Sequence, residues 1–193
     1  MSDECEKVEV ILVGGSAGSY DTIAGLISVM DEVRMPPVIV VLHRMRNVDS
    51  NIIELLRSRT GRKNIAEADE KQAILPGMAY IAPANYHLLV EEDRTFCLDN
   101  SAPVHYCRPS IDVTFESASL VYGPQMAGIL LSGSNEDGSY GMKCIEQKGG
   151  IAIVQDPEDT PFKTMLLSCI RMLSKPRIYS MMEIRNFLTS CSI

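Results

Sequence analysis

The sequence has no C-x-x-C pair, no cluster of His and Cys at metal-ligand spacing, and only three histidines in 193 residues. Its cysteines, Cys5, Cys97, Cys107, Cys144, Cys169 and Cys191, are scattered, so neither zinc nor a disulfide framework is indicated. They are expected to be reduced and mostly structural, with no metal or other cofactor. Also missing is an apolar run long enough to span a bilayer, and the start Met1-Ser2-Asp3-Glu4-Cys5-Glu6 lacks the basic-then-apolar order of a secretory signal. A cytoplasmic location without membrane insertion is expected. Nor is there a basic excess: the formal net charge of −7 argues against nucleic acid, whose phosphates need clustered Lys and Arg. One stretch reverses this average, with Arg44, Arg46, Arg57, Arg59, Arg62 and Lys63 set against Asp49 and Glu54. On composition alone it reads as a solvated helix face.

What is present suffices for one substantial core, since 46% of the residues are apolar and the length demands no second domain. Val8 to Val13 is a β-branched run ending at glycines, and Ile23, Leu26, Ile27 and Met30 give helical spacing from Tyr20 to Val33. After Pro36-Pro37, Val38 to Leu42 is the continuous apolar run of a parallel strand covered on both faces, with His43 at its end. A helix is predicted from Asn51 to Arg59, stopped by Gly61. Between Ile65 and Cys107 the segments Ala79-Tyr80-Ile81, His87 to Val90 and Thr95 to Leu98 read as short strands, with a β-hairpin around Glu92-Asp93. Alternation then resumes: a helix from Ile111 to Tyr122, a strand from Met126 to Leu131, a helix from Tyr140 to Lys148, a strand from Ile151 to Val154, and helices at Thr164 to Leu173 and Met182 to Leu188. The pattern predicts an α/β fold: a doubly wound, mostly parallel sheet with helices on both faces and a short β-hairpin insertion, its ligands bound at strand C-terminal ends.

Gly14-Gly15-Ser16-Ala17-Gly18 matches G-x-S-x-G, in which small neighbours allow a sharp strand-to-helix turn that exposes a serine hydroxyl. Read alone, these five residues fit a glycine-rich packing or phosphate-binding turn at least as well. A serine hydroxyl needs a base. His43 would share the sheet edge with Ser16; His87 lies inside an apolar strand, where a structural role is expected; His105 lies in a loop and ranks second as base. Asp137, in the polar loop after Gly128 to Leu131, could orient His43, although an aspartate in such a loop is also an ordinary turn or N-cap residue. The order Ser, His, Asp differs from the Ser, Asp, His order of the α/β-hydrolase superfamily.

Together these segments resemble the catalytic domain of the chemotaxis protein-glutamate methylesterases, the CheB family. The resemblance rests on Val13 to Gly18, Leu42 to Met45, Leu75 to Pro83 with His87 to Val90, Arg108-Pro109-Ser110-Ile111-Asp112, Leu131 to Gly138, and Val154 to Glu158. It implies one catalytic domain over residues 1–193, hydrolysing γ-glutamyl methyl esters, and in many members deamidating glutamines, on the cytoplasmic helices of methyl-accepting chemoreceptors. It also implies the roles: Ser16 as nucleophile, His43 as base, Asp137 as orienter, and the backbone N–H groups of Ala17 and Ser134 as oxyanion donors. Ala17 stands where the family commonly has threonine, and Ser134 where it has methionine. An acidic substrate helix would give Arg44 and Arg46, next to the base, a guiding role. Family members usually carry an N-terminal receiver domain, and about seven residues precede the first strand here, so regulation in cis is not expected and a separate regulatory protein would fit. A catalytically silent module with this fold, and an esterase outside chemotaxis, are the competing readings.

Overall fold

A computed structural model describes residues 7–31, 33–43 and 51–191. Seven strands form one parallel sheet in the order β3-β4-β2-β1-β7-β8-β9, with β1 Val10–Gly15, β2 Val38–Leu42, β3 Ile65–Glu67, β4 Ala79–Ile81, β7 Met126–Leu130, β8 Ile151–Gln155 and β9 Arg177–Tyr179. Strands β5 (His87–Val90) and β6 (Phe96–Asp99) pair antiparallel as the expected hairpin. The helices are α1 Tyr20–Ser28, α2 Ile52–Thr60, α3 Ile111–Tyr122, α4 Ser139–Gln147, α5 Thr164–Met172 and α6 Met181–Ser190.

The sheet is covered on both sides because alternate residues of its apolar strands face opposite layers. Ile11, Val13, Val38, Val40, Ile129 and Ile153 pack into one layer with Ile23 and Ile27 of α1, Leu56 of α2 and Phe187 of α6. Val10, Leu12, Ile39, Val41, Leu130 and Val154 pack into the other with Phe115 of α3, Ile145 of α4, Met165 of α5 and the hairpin residues Leu88 and Phe96. The chain leaves β1 for β2 on one side and later returns to β7 on the other. Clefts for ligands form at such a change of direction, beyond the strand C-termini.

Two differences from the predicted elements have local causes. Helix α1 ends at Ser28 and does not reach Val33, because the Asp31 carboxylate accepts the backbone N–H groups of Val33 (2.8 Å) and Arg34 (3.0 Å), offering the chain a turn in place of another helical round. Strands β3 and β9 are absent from the sequence-based expectation; at three residues each they are too short to show a period.

Candidate active site

Gly15 is in register with Leu42, so Ser16 and His43 are the first residues beyond the ends of neighbouring parallel strands. The edge is tied together by backbone: His43 N–H donates to Gly15 C=O at 3.1 Å, Ser16 N–H to Ser132 C=O at 2.9 Å, and Leu131 N–H to Gly14 C=O at 2.8 Å. The tight exit from β1 depends on glycine, since a Cβ on Gly15 would lie 2.5 Å from Ser19 Oγ and 2.8 Å from Ser19 Cβ. Gly18 takes the left-handed φ of 79° that carries the chain into α1.

Asp137 reaches the same edge from the loop between β7 and α4 and is fully buried. Its Oδ2 lies 2.7 Å from His43 Nε2 and accepts Ile111 N–H at 2.7 Å; its Oδ1 accepts the Ser110 hydroxyl at 2.7 Å and Asp112 N–H at 3.1 Å. Those three donors are the N-cap and first turn of α3, whose backbone N–H groups have no partner within the helix. An aspartate from a distant loop thus satisfies them and places negative charge at the positive end of the helix dipole.

This network sets the charge states. Burial would push the Asp137 carboxyl up, but the hydrogen bond and charge of His43, with the Ser110 and Ile111 donors, outweigh it and hold the group below the ordinary carboxylate range. Burial opposes the His43 imidazolium, yet its hydrogen bonds to Asp137 and Cys107 and the adjacent negative charge raise its pKa from 6.5 to about 9. Asp112, in the first turn of α3, is pushed up to about 6, first by burial and also by the charge of Asp137, although Gly141 N–H donates to its Oδ1 at 2.7 Å.

Of the residues singled out from the sequence, Ser16, His43 and Asp137 are gathered at one edge. Ala17 sits beside Ser16, its carbonyl accepting the Ser132 hydroxyl at 3.0 Å, and Ser134 lies exposed on the Asp137 loop. Arg44 and Arg46 lie outside the described residues. His87 is buried, accepting Ser110 N–H at its Nδ1 (3.2 Å), with its Nε2 3.1 Å from Ala102 C=O: a structural histidine, as expected. His105 faces Asp112 at 3.5 Å. Sequence reasoning missed Cys107, Ser110 and Asn135. Cys107 Sγ lies 3.5 Å from His43 Nδ1 and accepts from Asn135 Nδ2 at 3.1 Å, so this cysteine belongs to the site and not to the structural set. The ligating atoms of His43, Cys107 and Asp137 lie within 4.8 Å of one another. A metal ion there would have to displace hydrogen bonds from a carboxylate whose oxygens already accept from Ser110, Ile111 and Asp112, so the cluster fits acid–base chemistry better than metal binding.

Fold and site define a doubly wound α/β protein with a partly buried, carboxylate-oriented histidine next to a glycine-flanked serine. A family model described as CheB methylesterase matches residues 11–188, and the chain belongs to that family. It is 38% identical over 176 residues, 91% of each chain, to a Leptospira interrogans relative. Proteins named protein-glutamate methylesterase/protein-glutamine glutaminase from Carboxydothermus hydrogenoformans (30% identity over 155 residues) and Archaeoglobus fulgidus (32% over 153) match 78% of this chain, which spans 45% and 43% of their lengths. The fold matches the crystal structure of the Thermotoga maritima CheB methylesterase catalytic domain with a TM-score of 0.83 at 24% identity, covering 94% of this chain and 97% of that one. No helix among the described residues is long and apolar enough to cross a membrane.

Proposed function

We propose that this chain hydrolyses γ-glutamyl methyl esters, and deamidates glutamines, on the cytoplasmic helices of chemoreceptors, through an acyl-enzyme on Ser16. The observation that carries this reading is the meeting of Ser16 with the hydrogen-bonded His43–Asp137 pair at the ends of β1, β2 and β7. His43 takes the Ser16 proton as Oγ attacks the ester carbonyl, then gives it to the departing methanol; water releases the glutamate by the same route. Asp137 stabilises the imidazolium that forms. The N–H groups of Ala17 and Ser134 are the candidate donors to the oxyanion. No hydrogen bond joins Ser16 Oγ to His43 in this structure, a spacing that unliganded sites often close only with substrate bound.

The test is methanol release from methylated receptor fragments, with receptor mass followed in parallel. Wild-type protein releases methanol; His43→Ala and Asp137→Asn lower kcat by roughly 10³-fold or more. Absence of release from any γ-glutamyl ester would overturn the reading. Arg44 and Arg46 are proposed to guide the acidic substrate helix, so reversing both to glutamate lowers kcat/KM and flattens its salt dependence.

A further inference from the structure

We propose that Cys107 is a second nucleophile of this site, served by His43 and able to carry the γ-glutamyl group as a thioester. The proposal rests on the acyl-transfer reading above but adds a residue and an intermediate to it. It begins with the two ring nitrogens of His43. Nε2 faces the ionised, acceptor-only carboxylate of Asp137 at 2.7 Å and therefore carries a proton. Proton exchange with a nucleophile is left to Nδ1, and the side chain on Nδ1 is Cys107, with Sγ at 3.5 Å. The serine hydroxyl holds no such position.

The surroundings of the sulfur fit this role. Asn135 Nδ2 donates to it at 3.1 Å, so with His43 protonated two N–H groups converge on Sγ and would stabilise negative charge developing there. The thiol is also aimed. Residues 104–107 form a tight turn closed by Val104 N–H to Cys107 C=O (3.1 Å) and Cys107 N–H to Val104 C=O (2.8 Å), and its middle residues His105 and Tyr106 both take left-handed φ values of 47° and 64°. Cys107 is only partly buried, and Tyr106 beside it is 97% exposed, so the sulfur can be approached from solvent.

In the reaction, the Cys107 thiolate attacks the γ-carbonyl carbon of a glutamine or glutamyl ester. As the C–N or C–O bond breaks, the His43 Nδ1 proton passes to the leaving ammonia or methanol, and a thioester remains. Neutral His43 then takes a proton from water; the hydroxide adds to the thioester, the C–S bond breaks, and the thiolate, imidazolium and glutamate are restored.

Two measurements test this. Iodoacetamide at pH 6.5, followed by peptide mass mapping, reads the thiol without any substrate. Cys107 is expected to react at least about tenfold faster than Cys97 or Cys144, with the advantage lost in His43→Gln and reduced in Asn135→Ala. Equal reactivity of Cys107 and Cys144 would overturn the pairing. In the second, Ser16→Ala protein is mixed with glutamyl-methyl-ester and glutamine peptides and quenched in acid. The expected result is an acyl mass on Cys107 that neutral hydroxylamine removes, and turnover that disappears in Ser16→Ala/Cys107→Ala. Wild-type turnover with no Cys107 adduct in Ser16→Ala would overturn the second nucleophile and leave the esterase reading intact. Fast alkylation with no turnover of either peptide by any form would instead remove the acyl-transfer reading and, with it, the thioester.

Discussion

Replacing Asp137 with asparagine removes the charge that holds the His43 proton while keeping the size of the side chain. In the wild type the imidazole titrates at about 9 in place of 6.5. At 1.36 kcal/mol per pH unit that difference corresponds to about 3 kcal/mol of coupling between protonation and folding. Because folding raises this pKa, the stabilisation is complete below pH 6.5 and drains away as the pH climbs through 9. Urea unfolding of wild type and Asp137→Asn at pH 6 and pH 9.5, both carrying Asp112→Asn because Asp137 also raises the Asp112 pKa, isolates it. The wild type should lose about 2–3 kcal/mol more than the variant across that interval. The variant is also weaker at pH 6, because its amide presents an N–H group to a pocket of donors: Ser110, Ile111, Asp112 and His43. That adds roughly 1–3 kcal/mol of destabilisation. The same proton limits catalysis by Ser16, as neutral His43 is only about 1% of the total at pH 7. Ester hydrolysis through the serine should therefore rise about tenfold per pH unit from pH 7 and level off above 9. Identical pH slopes of stability in the two proteins would refute the coupling.

Ser110→Ala removes a donor to Asp137 at 2.7 Å and the cap of α3; it should cost about 1–3 kcal/mol by urea unfolding and lower kcat. Gly141→Ala tests the close crossing of α3 and α4, where a Cβ would lie 2.6 Å from Phe115 Cβ and 3.1 Å from Asp112 Cα. It should lower stability by about 1–3 kcal/mol, and an unchanged urea midpoint would contradict the crossing. Asp112 has the opposite linkage to Asp137: its raised pKa means that stability falls as the pH rises from about 4 to about 6. Asp112→Asn, which keeps an acceptor for Gly141, should remove that fall and raise the unfolding midpoint at pH 7.

The parts legible in the sequence are those that a parallel sheet determines. Val10 to Gly15 and Val38 to Leu42 are apolar runs with a chemically equipped residue just after each, and parallel pairing brings Ser16 and His43 side by side. Asp137 could be read only in company, since its loop alone suits a turn residue. Cys107 was not legible because its approach to His43 depends on a turn whose left-handed positions are filled by His105 and Tyr106, where no glycine announces the reversal. Asn135 and Ser110 were hidden for a related reason: their partners come from loops far away in the chain, and no local period records such a meeting.

The carboxylate that aims the histidine is also the anchor of a helix. Because α3 hangs its first turn on Asp137, the helix and the imidazole share one pivot, and neither can be re-aimed alone. Mutational drift along the outer face of α3 is free so long as that pivot stays seated, whereas any force that slides the helix along its axis is transmitted to the base. A substitution at Asp137 therefore acts on the aim of the base and on the hold of the helix together.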